Sequence, residues 1–166
     1  MTSKGRVWKF GDHVNTDLII PGKYLSSYDP SHLARHAMEG VNKAFAGAVS
    51  KGDIIVAGKN FGCGSSREQA VIALKHAGVS AIVAQSFARI FYRNSINLGL
   101  PAIISEDASR VLTEGETVVI DMKTSLISSA EAKKQVHFEP VPTRLREIMD
   151  AGGLVPYLRK TMPSSR

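Results

Sequence analysis

The sequence predicts an α/β fold: a parallel βαβαβ unit with an antiparallel β addition. Three observations carry that expectation. Short, β-branched apolar runs at 53–57, 79–84 and 100–104 read as buried strands. Segments of helical spacing at 66–77 and 86–98 lie between them, so the strands should be parallel and joined by right-handed crossovers. After Glu106 the pattern changes, and 117–120 and 135–138 read as strands set among polar linkers.

From the N-terminus, 7–10 opens as a strand of alternating character and meets the polar turn Gly11-Asp-His13. Asn15-Thr-Asp17 leads into Leu18-Ile-Ile20, which Pro21-Gly22 stops. Segment 30–39 carries the start signal Asp29-Pro30-Ser31 and the stop Gly40, and reads as a helix. Strand 53–57 runs into a glycine-rich loop, Gly58-Lys-Asn-Phe-Gly-Cys-Gly-Ser-Ser-Arg-Glu68. Helix 66–77 follows, with Gly78 as its C-cap; Ser65 stands three residues before Glu68, the spacing of a capping box. Helix 86–98 places Phe87, Ile90, Phe91 and Asn94 at helical spacing and closes at Gly99. No further helix is expected before 142–149; Gly152-Gly153 then breaks to a last helix at 154–161, and the tail 164–166 is expected to fray.

At 166 residues, 43% hydrophobic and 22% charged, the chain is expected to form one domain over 1–166, with a core that needs neither disulfide nor metal. No apolar run reaches the length of a membrane span and no signal-peptide pattern opens the chain, so the cytoplasm is the expected location. The formal charge of +6 and pI near 9.6 come from scattered Lys and Arg with no nucleic-acid module, so an anionic small substrate or an acidic protein partner suits the charge better than nucleic acid. A single cysteine, Cys63, excludes an internal disulfide and any metal or cluster site built from this chain's own thiolates.

The strand, glycine loop and helix start at 53–68 suit an anion, because backbone N–H groups and the helix dipole both favour negative charge there. Ser65, Ser66 and Arg67 add two hydroxyls and a forked cation. A P-loop needs Lys-Ser/Thr after its last glycine, where Gly64 is followed by Ser-Ser-Arg. The dinucleotide fingerprint needs a glycine where Arg67 stands. A carboxylate fits better than a nucleotide phosphate. The same residues also suit an ordinary capped turn without ligand.

Three stretches in register, Phe10-Gly-Asp-His-Val-Asn-Thr-Asp-Leu-Ile-Ile-Pro-Gly-Lys-Tyr-Leu25, Gly58 to Glu68, and Ser86-Phe-Ala-Arg-Ile-Phe-Tyr-Arg-Asn-Ser-Ile-Asn-Leu-Gly99, make the chain resemble the small subunits of 3-isopropylmalate dehydratase in the aconitase superfamily. The resemblance implies a swivelling β/β/α three-layer domain that docks on a large subunit, in a heterodimer or heterotetramer. The large subunit carries the [4Fe–4S] cluster; none is bound by this chain. It implies a lyase acting on a small dicarboxylate by dehydration and rehydration, in leucine biosynthesis. Ser65 maps onto the serine that acts as base in alkoxide form, and Ser66 and Arg67 onto groups that bind substrate carboxylate. Cys63 reads as a small loop residue, His13 as a turn residue, Asn15, Thr16 and Asp17 as scaffold, and Arg89 and Arg93 as structural or interface cations.

In that family the segment after Pro-Gly-Lys, here 24–28, sets specificity. Relatives acting on tricarboxylates such as homoaconitate place an arginine after Tyr-Leu, where this chain has Ser26. A third carboxylate left unpaired in a closed site would be costly. Leu25, Ser26 and Ser27 are therefore expected to face the substituent of an alkyl-substituted malate. Isopropylmalate leads, and the polar Ser26-Ser27 leaves citraconate or citramalate, 2,3-dimethylmalate or homoaconitate as alternatives. From a different class, a non-catalytic anion-binding module remains open.

Overall fold

The computed structural model describes residues 2–129 and 131–162. Seven strands form one mixed sheet in the order β4-β3-β2-β1-β5-β6-β7. β1 (Thr2–Lys9) is its hinge line. Residues 7–9 pair parallel with β2 (Ile54–Ala57), while residues 2–6 pair antiparallel with β5 (Thr117–Asp121). β2, β3 (Ala81–Ala84) and β4 (Ala102–Ile104) continue the parallel half, and β6 (Leu126–Ser129) and β7 (Lys134–His137) the antiparallel half.

Burial shows why the sequence makes two kinds of strand. Every residue of β2 and β3 is buried, as expected of central parallel strands covered on both faces. β5 and β6 alternate buried and part-exposed residues, the signature of strands with one wet face. Two cores result. On one side Ile55, Ala57, Ile82 and Ala84 pack with Leu33 of α2 (Pro30–Ala34) and Ala70, Val71 and Leu74 of α4 (Glu68–Ala77). On the other, Ile54, Val56, Val83 and Ile103 share a core with Val118, Ile120, Ile127 and Val136, so the antiparallel half curls over the parallel half. Helix, parallel sheet and antiparallel sheet make the expected β/β/α arrangement.

Several expectations change. Helix α4 begins at Glu68, not 66, with Arg67 as an extended N-cap, and the Ser65–Glu68 capping box does not form. Gly64 (φ 90°) and a hydrogen bond from the Thr16 hydroxyl to the Ser65 carbonyl (2.9 Å) carry the chain two residues further before it can coil. The helix expected over 30–39 ends at Ala34. The amides of Met38 and Gly40 donate instead to the carbonyls of Ile19 (2.7 Å) and Leu18 (3.0 Å), so tertiary bonds displace helical ones. Helix α5 spans Arg89–Asn97, shorter than 86–98, because Phe61 and the 86–88 stretch exchange backbone hydrogen bonds of 3.0 Å. β6 and the short helices α1 (Thr16–Ile19), α3 (Phe45–Ala48) and α6 (Ala108–Val111) were not anticipated. The last two helices, α7 (Thr143–Asp150) and α8 (Leu154–Thr161), stand close to where they were expected, and the tail 164–166 lies outside the described residues.

Candidate active site

The glycine loop is held from both sides. Asn15 caps α1 by accepting the Leu18 amide (2.9 Å), and the Thr16 amide donates to the Cys63 carbonyl (2.9 Å). Gly62 donates its amide to the Val14 carbonyl (2.8 Å). Across the loop, Phe61 meets Phe91 edge-on at 5.3 Å, and Phe91 lies parallel to Phe87 at 6.4 Å. These contacts press the loop against the N-terminus of α5 and leave a cleft of ≈ 410 Å³.

Ser65, Ser66 and Arg67 line that cleft together, with both serines exposed. Facing them are the first turn of α5 with Arg89, Arg93 and Asn94; Thr16 also lines the cleft, its hydroxyl donated to the Ser65 carbonyl. Two helix N-termini, those of α4 and α5, open towards the same space, and neither is capped by a side chain. Their unpaired amides and three guanidinium groups make the cleft a place for an anion with more than one negative group.

Arg67 is fixed rather than free. Its Nη1 donates to Asp17 and to the Ile20 carbonyl (3.3 Å), and its side chain is only 16% exposed. Nη2 and Nε have no hydrogen-bond partner among the described residues, so one edge of the fork remains to take a carboxylate with two parallel bonds.

Leu25, Ser26 and Ser27 do not line the cleft. They follow a 3-10 turn at Gly22–Tyr24 that begins beside the Arg67–Asp17 pair. A methyl built on Gly22 would sit 3.9 Å from Asp17 Oδ1 and 4.0 Å from Arg67 Nη2, so the turn abuts that pair directly. Leu25 packs partly into the first core, Ser26 is exposed, and the Ser27 hydroxyl accepts the Asp29 amide (3.0 Å).

His13 is a left-handed turn residue (φ 54°) whose amide donates to the Lys59 carbonyl (2.7 Å). Cys63 is half-buried in the loop. Among the described residues, no group of three or more His, Cys, Asp or Glu side chains could hold a metal ion. These residues do not fit an iron–sulfur cluster. No helix among them is long and apolar enough to cross a membrane. The sequence placed Arg89 and Arg93 as structural or interface cations; the structure sets them on the cleft wall, and their one-turn spacing was the available signal. Asp17, read as scaffold, is the partner of Arg67.

The family description "Aconitase C-terminal domain" matches residues 11–107, which contain every residue of this cleft. The chain belongs to the aconitase C-terminal domain family. As a member of it, the chain is 53% identical over 160 residues to the methanogen homoaconitase small subunit of Methanothermobacter thermautotrophicus, covering 96% of this chain and 92% of that one. It is 51% identical over 155 residues to a 3-isopropylmalate dehydratase small subunit from Halothermothrix orenii, covering 93% of this chain and 94% of that one. A crystal structure of 3-isopropylmalate dehydratase from Methanocaldococcus jannaschii superposes with a TM-score of 0.91 at 52% identity, covering 96% of this chain and 95% of the other. Thus this aconitase C-terminal domain is similar, over nearly its whole length, to small subunits of dehydratases, which are lyases that remove water.

Proposed function

We propose that this chain is the small subunit of a 3-isopropylmalate dehydratase, serving leucine biosynthesis in the cytoplasm together with a large subunit. The observation that carries the reading is the cleft wall itself: two exposed serine hydroxyls beside an arginine with one guanidinium edge available, at the mouth of two uncapped helices. Ser65 removes the proton from the carbon next to a carboxylate. A serine hydroxyl is a very weak acid, so the alkoxide must be favoured by the positive ends of the helices and by Arg67. Ser66 and the Nη2–Nε edge of Arg67 hold a substrate carboxylate, on whose oxygens charge collects as the proton leaves. Leu25, Ser26 and Ser27 lie outside the cleft lining, but Gly22 at the start of their turn stands beside Arg67 Nη2, and from there the segment receives the alkyl substituent of a carboxylate held on that edge.

In this reading the [4Fe–4S] cluster is carried by the large subunit. The relatives' designation as small subunits supports such a partner. Homoaconitate is the second reading, favoured by the relative of that name at 53% identity. Against it stands Ser26, which offers no cation to a third carboxylate. The test is a substrate panel on the complex reconstituted anaerobically with the large subunit, following absorbance of the unsaturated diacid. 3-Isopropylmalate should give the highest kcat/KM, ahead of citraconate, 2,3-dimethylmalate and homoaconitate. Equal or better turnover of homoaconitate would transfer the assignment to the second reading. Carboxylate binding without turnover of any member would favour a non-catalytic anion-binding module.

A further inference from the structure

Glu39 stands outside the cleft, on the turn that follows α2, yet it gathers an unusual set of partners. The Tyr24 hydroxyl donates to both of its oxygens (2.8 and 3.1 Å). His36 Nδ1 lies 2.7 Å from Oε2, and Lys23 Nζ lies 3.4 Å from Oε1. The rings of Tyr24 and His36 stack at 3.7 Å and 11°, His32 meets both edge-on, and Lys23 sits 4.8 Å from the Tyr24 ring centre. The His36 contact, followed by the Tyr24 hydroxyl, holds the Glu39 carboxyl below the usual carboxylate range.

The backbone beneath Glu39 is equally committed. Met38 and Gly40, on either side of it, donate their amides to Ile19 and Leu18. A Cβ on Gly40 would come within 2.6 Å of Leu18 Cα and 2.9 Å of the Asp17 carbonyl, so only glycine permits this approach. Asp17 in turn grips Arg67, and the turn carrying Tyr24 abuts Asp17 and Arg67 at Gly22. The contacts close a ring: Arg67, Asp17, the 38–40 backbone, Glu39 and Tyr24, then back along the chain to Ile20, whose carbonyl accepts from Arg67 (3.3 Å).

We infer that Glu39 is a positioning residue for the specificity segment, fixing residues 24–28 relative to the carboxylate-binding Arg67 by holding Tyr24. The inference rests on the reading above, in which 24–28 meets the substrate's substituent. Glu39 touches no substrate. It sets the distance between the two places where substrate is held, and so acts on which substituted malate fits.

Two measurements test this on the variants Glu39→Gln and Tyr24→Phe. In the reconstituted complex, Glu39→Gln should lower kcat/KM for the best substrate about tenfold, mostly through KM, and narrow the gap between isopropylmalate and citraconate. Tyr24→Phe keeps the ring and loses only the hydroxyl bonds, so it should shift the same ratio in the same direction. In the isolated chain, amide hydrogen exchange across 22–28 should quicken about tenfold in both variants while exchange in β2 and β3 stays at the wild-type rate. Equal falls in kcat for every substrate with KM unchanged, or unaltered exchange across 22–28, would overturn the inference. If the wild-type complex turns over no member of the panel, the functional reading has failed, and the exchange result still decides whether Glu39 holds the segment.

Discussion

Gly62 and Gly64 occupy the same loop and the same left-handed region (φ 79° and 90°), yet replacing each with alanine should have unequal effects. At Gly64 the nearest atoms to an added Cβ are Asn15 Cβ at 3.6 Å and the Thr16 hydroxyl at 3.7 Å, ordinary contacts. Only the backbone conformation is then penalised, by about 1–2 kcal/mol. At Gly62 an added Cβ would fall 2.1 Å from Phe91 Cγ and 2.5 Å from its Cβ and Cδ2. Phe91 is buried between Phe61 and Phe87 and cannot swing away, so overpacking adds about 1–3 kcal/mol to the same backbone term. Gly62→Ala should therefore be less stable than Gly64→Ala by about 2 kcal/mol. With a slope of about 1–3 kcal/mol per molar urea, the two unfolding midpoints should differ by about 1 M. Trp8, the sole tryptophan, rests edge-on against Phe45 (4.9 Å) and supplies the fluorescence signal. Coincident midpoints for the two variants would refute the claim that Phe91 packs the loop.

Two further outcomes follow from other contacts. Asp53 accepts the Trp8 indole (2.8 Å), the Ser50 amide (2.9 Å) and Arg6 (3.3 Å); Asp53→Asn should lower stability by about 2 kcal/mol in urea titrations at neutral pH. Burial pulls the Asp53 carboxyl up, but the Ser50, Trp8 and Arg6 contacts outweigh it and hold the group below its ordinary 3.8. A depressed native value means the stabilisation is complete above the unfolded value and is lost as pH falls through the native one, so the gap between wild type and Asp53→Asn should shrink below about pH 4. At the site, Arg67→Lys keeps the charge and loses the fork, so kcat/KM in the complex should fall about 10- to 100-fold with the circular dichroism spectrum unchanged.

The parallel half of the fold was legible because its strands are largely apolar runs each preceded by a glycine (Gly52, Gly78, Gly99), and local pattern suffices for buried strands of that kind. β6 was not legible: Leu126–Ser129 is short and half serine, and it is a strand because β5 and β7 lie on either side of it. The helix expected to reach Glu39 failed for a related reason, since the carbonyls of Leu18 and Ile19 that capture Met38 and Gly40 lie some twenty residues earlier in the chain. At the site, Ser65, Ser66 and Arg67 could be read from one contiguous stretch, and they do line one cleft. The facing wall, Arg89, Arg93 and Asn94, depends on how α5 packs through Phe91, which sequence spacing hints at without fixing. Glu39 gave no signal at all. Its importance comes from Tyr24 and His36, which meet it only after the turn at 35–40 has formed.

The central claim is that Ser65 takes the proton. The direct measurement is single-turnover dehydration of 3-isopropylmalate by the anaerobically reconstituted complex carrying Ser65→Ala, alongside substrate binding to the same variant. The rate should fall about a thousandfold or more while the substrate dissociation constant stays within a fewfold of wild type. Turnover at the wild-type rate in Ser65→Ala would contradict the account.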